Sequence, residues 1–141
     1  VVKLLINYKR NLQLDFRLVY EERAGDIIFL IGTILAIVST YQAEQSLIDK
    51  LFMTKSSEDS VYTITTASWL FFIASLIFTH VAIRRFGQLR KSNISSTSYA
   101  TIRSSRFITV GDIIKVIGFG LAAIGNQIRT NSLSRTSAIS Q

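Results

Sequence analysis

The sequence predicts an all-α integral membrane protein: a bundle of three transmembrane helices led by an amphipathic helix on the cytoplasmic leaflet. Three observations carry this reading. Apolar residues are gathered into blocks, and the longest, 61–83, contains no Asp, Glu, Lys or Arg. Charged residues make up 18% of the chain against roughly 25% in soluble domains, with a mean hydropathy of +0.34. The basic excess, a net charge of +7, flanks the apolar blocks instead of forming a nucleic-acid reader motif, so the expected partner is a lipid bilayer and not nucleic acid.

Residues 1–23 place Leu5, Tyr8, Leu12, Phe16 and Val19 on one helical face. A strand would alternate equally well over Leu12, Leu14, Phe16, Leu18 and Tyr20, but a lone strand at a membrane leaves its backbone unpaired, so a cytoplasmic amphipathic helix is expected. The first span is placed at 25–43. The second, at 61–83, would be about 34 Å long, slightly more than a hydrocarbon core of about 30 Å. Residues 84–106 read as a basic cytoplasmic loop and 129–141 as a mobile tail rich in Ser and Thr.

The third span, 107–128, is interrupted by Asp112 and Lys115 and alone would pass for an interfacial helix. An internal comparison restores it. Gly25-Asp26-Ile27-Ile28 matches Gly111-Asp112-Ile113-Ile114, Ile31-Gly32 matches Ile117-Gly118, and Leu35-Ala36 matches Leu121-Ala122, eight identities in fifteen positions. If the first segment spans, the third should too.

Orientation follows from Lys and Arg, which favour the cytoplasmic side. Five precede the first span and six lie between the second and third, against two in the first connection and two after the third span. That eleven-to-four split puts the N-terminus inside, most simply in the plasma membrane. Within the second connection Arg84, Arg85, Arg90 and Lys91 are expected to meet lipid headgroups.

Candidate chemistry is sparse. With no cysteine and one histidine, thiolate metal sites and cysteine nucleophiles are excluded, and no phosphate loop or zinc-protease signature occurs, so no enzyme, metal or cofactor is expected. Asp26 and Asp112, each after a Gly, are expected to cap helix N-termini. Their functional alternative, shared with His80, is an ion or proton site near the cytoplasmic interface. Lys115, three residues after Asp112, is spaced to pair with it.

Small residues form the most informative pattern. Gly25, Gly32 and Ala36 recur as Gly111, Gly118 and Ala122 on the third span and as Ser68, Ser75 and Thr79 on the second. Spacings of seven and four share a helix face, where backbones can approach closely, and such packing drives association inside lipid. The expected function is therefore a small non-enzymatic accessory or assembly subunit acting through helix packing with another membrane protein or a second copy. The alternative is a self-assembling pore, holin-like protein or small transporter, lined by the Ser and Thr residues of the second span.

Overall fold

The computed structural model describes residues 2–53, 59–91 and 99–139. They form three helices, α1 (Val2–Leu51), α2 (Asp59–Lys91) and α3 (Tyr99–Ile139). Each contains a stretch long and apolar enough to cross a membrane, within Leu12–Leu51, Asp59–Arg90 and Thr101–Arg135.

The helices run well past the apolar blocks. α1 passes through Gly25 without a break, so residues 2–23 and the first span are one helix. The basic connection expected over 84–106 is largely helical, because α2 continues to Lys91 and α3 begins at Tyr99, and the expected tail is helical to Ile139. The physical reason is that hydropathy marks where lipid contacts a helix, whereas only a breaker marks where the helix ends, and this chain has no proline. Polar margins also add local support, as in the Arg17–Glu21 pair (3.0 Å) one turn apart. α1 stops where Met53 enters the left-handed region (φ 54°), with its N–H donating to the Lys50 carbonyl at 3.3 Å.

α2 is the central element. It packs along both α1 and α3, whereas the α1 and α3 backbones do not come within 8 Å of one another among the described residues. The compact closure expected of a three-helix bundle is thus replaced by two seams and an intervening cleft. The accessible surface of 10812 Å² exceeds the roughly 7,300 Å² of a compact soluble monomer of this mass. Much of the excess is apolar, including Ile27, Leu30, Ile34 and Ile37 on α1 and Ile113, Ile117, Leu121 and Ile124 on α3. Among the described residues no large side chain is fully buried, and the innermost positions are Ala67, Ala74 and Ala123, all at 0% exposure. A small-residue interior beneath an apolar exterior is the arrangement that suits helices packed in lipid.

Candidate functional site

The two seams of α2 differ in chemistry. Toward α1 the contact is close and apolar. Leu18, Gly25, Gly32 and Ser39, each seven residues apart, are buried along one line of α1. A methyl group added at Gly32 would stand 3.0 Å from the Phe71 ring and 3.4 Å from the Ala67 carbonyl oxygen, and one at Gly25 would stand 2.8 Å from the Phe78 ring. Only glycine lets the backbones come this near. Ser39 ends the line by donating to the Ser60 carbonyl at 2.8 Å.

Toward α3 the seam is a ladder of hydrogen bonds. Asn126 donates through Nδ2 to Ser68 Oγ (2.7 Å), whose own proton goes to the Ile64 carbonyl. Thr65 Oγ1 and Thr130 Oγ1 lie 2.8 Å apart and either can donate across the seam, each also lying within reach of a carbonyl of its own helix, Val61 at 2.7 Å and Asn126 at 3.0 Å. Trp69 Nε1 donates to Gln127 Oε1 (3.1 Å), and the Tyr62 hydroxyl is 3.2 Å from Ser134 Oγ. Gly120, where an added methyl group would stand 3.1 Å from the Phe72 ring, and buried Ala123 bring the helices together.

The small-residue stripes therefore fare differently. Gly25 and Gly32 are interface positions and Ala36 is half-buried beside them; Ser68 and Ser75 are buried on α2. Thr79 Oγ1 is buried without a hydrogen-bond partner among the described residues. On α3, Gly111 and Gly118 have nothing within 4 Å of an added methyl, and Gly118 and Ala122 are exposed. The face that meets α2 is offset to Gly120, Ala123, Asn126, Gln127 and Thr130. Sequence reasoning missed it, although the hydroxyl and amide residues at three- and four-residue intervals from position 123 onward carry the signal.

The charged residues gather at the basic end of the apolar band. Arg85 makes a bidentate pair with Glu22 of α1 (Nη1 to Oε1, 3.1 Å), a partner that no local spacing foretells, so this cation takes part in the α1–α2 seam. Arg84 and Arg90 are exposed; Lys91 closes α2, and its side chain lies outside the described residues. His80 Nε2 is 3.7 Å from Glu21 Oε2, the carboxylate that Arg17 also meets. The expected Asp112–Lys115 pair is present at 3.1 Å.

Asp26 and Asp112 do not cap helix starts. α1 begins at Val2 and α3 at Tyr99, so the backbone N–H groups near both carboxylates are already committed within their helices. Instead the two acids line one cleft of about 390 Å³ between α1 and α3, together with Lys115, Ser75 and the rings of Phe29, Phe78 and Phe119. Beside it lies a second cavity, of about 280 Å³, that includes Glu22, Arg85, Thr109, Asp112 and Lys115. His80 belongs elsewhere, in a cavity with Glu21, Ala24, Leu76 and Ile77. The Phe29 and Phe119 rings meet across the gap at 6.3 Å between centroids, and Phe71 lies against both, tilted to Phe29 at 4.9 Å and stacked on Phe119 at 5.6 Å, which closes the space between α1 and α3 at that level. Among the described residues no three His, Cys, Asp or Glu side chains cluster in a way that could hold a metal ion.

Comparison with known proteins adds no relative. No family model matches the chain, and no characterised protein or solved structure matches it significantly.

Proposed function

We propose that this protein is a non-enzymatic membrane subunit that assembles with another membrane protein, or with a second copy of itself, by helix packing. The observation that carries the reading is the idle face of α3, where Gly111 and Gly118 stand open and Ala122 is exposed, while the matching positions on α1 are already pressed against α2. A small-residue face of this kind suits close approach of a further helix in lipid. In this reading the N-terminus is cytoplasmic, as the distribution of Lys and Arg favours, and the plasma membrane is its place.

The pore reading has less support. Hydroxyl groups on α2 that could have lined a channel are spent in the α2–α3 seam, as with Thr65 and Ser68, or turned back onto their own helix, as with Ser75 and the Phe72 carbonyl (2.7 Å). The test is native gel mass in mild detergent for wild type and Gly118→Leu. An assembled species that loses its partner in the variant, while the monomer keeps its melting temperature, supports assembly through α3. Wild-type protein that runs as a monomer and carries ions into liposomes contradicts it.

A further inference from the structure

We propose that the cleft between α1 and α3 binds hydrophobic organic cations, molecules that join a protonated amine or other onium centre to an apolar body. This inference is independent of the subunit reading, because it concerns the opposite requirement: a small ligand in the cleft, not a helix on the outer face of α3.

Charge decides the sign of the ligand. Lys115 is engaged by Asp112, and in the adjoining cavity Arg85 is engaged by Glu22. Asp26 has no ion-pair or hydrogen-bond partner among the described residues, so the cleft carries one uncompensated negative charge. Ser75 reinforces this, since its only proton already goes to the Phe72 carbonyl, leaving lone pairs and no donor for an anion. The walls decide the body. Phe29, Phe78 and Phe119 offer apolar area and electron-rich faces that attract a cation within about 6 Å of a ring centre. Size decides the class: about 390 Å³ lies within the range of small-molecule sites, about 300 to 1,000 Å³, and is too small for a helix about 10 Å across. Because the α1 and α3 backbones stay apart, the cleft has room for such a ligand, with its charge at Asp26 and its body against the Phe119 ring that closes the gap on that side.

The test uses the full chain purified in detergent and radiolabelled tetraphenylphosphonium as probe. Saturable binding is expected in wild type, with tetraphenylborate, the same shape with the opposite charge, failing to compete. Asp26→Asn should weaken binding about tenfold or more, and Phe119→Leu, which keeps an apolar wall but removes the ring, about threefold. Glu21→Gln, in the separate His80 cavity, should bind as wild type, with circular dichroism and melting temperature confirming that all variants are folded. Non-saturable uptake, equal competition by tetraphenylborate, or undiminished binding by Asp26→Asn would overturn the proposal.

Discussion

Gly32 and Gly118 hold the same place in two stretches that share eight of fifteen residues, yet one is buried beneath Phe71 and the other faces open space. Around Gly32 the contact with α2 is close packing against Phe71, and the polar links of that seam, Ser39 with Ser60 and Glu22 with Arg85, lie toward its two ends. Around Gly118 the helix continues into Asn126, Gln127, Thr130 and Ser134, whose polar groups in an apolar medium need partners more than a glycine needs a neighbour. α2 supplies those partners through Tyr62, Thr65, Ser68 and Trp69, and meeting them turns α3 so that Gly120 and Ala123, not Gly118 and Ala122, face inward. The difference teaches that a small-residue stripe permits close packing without choosing it; where a polar ladder competes for the same helix, the ladder sets the face.

The comparison can be broken at several points. The largest effect is expected at Ala74, which is fully buried on α2. Ala74→Leu should destabilise by about 1 to 3 kcal/mol through overpacking, read as a lowered melting temperature in detergent. Next comes the ladder. Asn126→Ala removes the donor to Ser68 and should cost about 0.6 to 1.7 kcal/mol, the range found for hydrogen bonds between membrane helices; a loss confined to the α2–α3 seam would appear as faster hydrogen exchange in α3 than in α1. Smaller still is Glu22→Gln, because both partners of the Glu22–Arg85 pair are more than a third exposed and solvent screens them. About 0.2 to 1 kcal/mol is expected, diminishing as salt is raised. Thr79→Val should be neutral or slightly stabilising, since the buried hydroxyl it removes has no partner to lose.

Three helices long and apolar enough to cross a membrane were legible because apolar blocks of that length stand out along the chain, and the Asp112–Lys115 pair was legible because three-residue spacing on a helix is enough to predict it. Helix ends were not, since nothing in the polar margins stops a helix in a chain without proline. The capping role expected for Asp26 and Asp112 failed for that same reason: Gly-Asp looked like a start only while the preceding residues were read as a separate segment. Glu22 with Arg85 and the joint placement of Asp26 and Asp112 join residues more than sixty positions apart, and no local pattern encodes such a meeting. The approach of Glu21 to His80 is likewise a product of α1–α2 packing that no local spacing encodes.

The central claim is that the two matching segments have unlike surroundings, and melting temperature for the pair Gly32→Leu and Gly118→Leu, measured in the same detergent on the monomer, tests it most directly. Leucine at position 32 must displace the Phe71 ring and should lose about 1 to 3 kcal/mol, whereas leucine at position 118 enters open space and should stay within about 0.5 kcal/mol of wild type. Equal destabilisation by both substitutions would contradict the claim, because it would mean that α3 packs against α2 through the face that the structure leaves open.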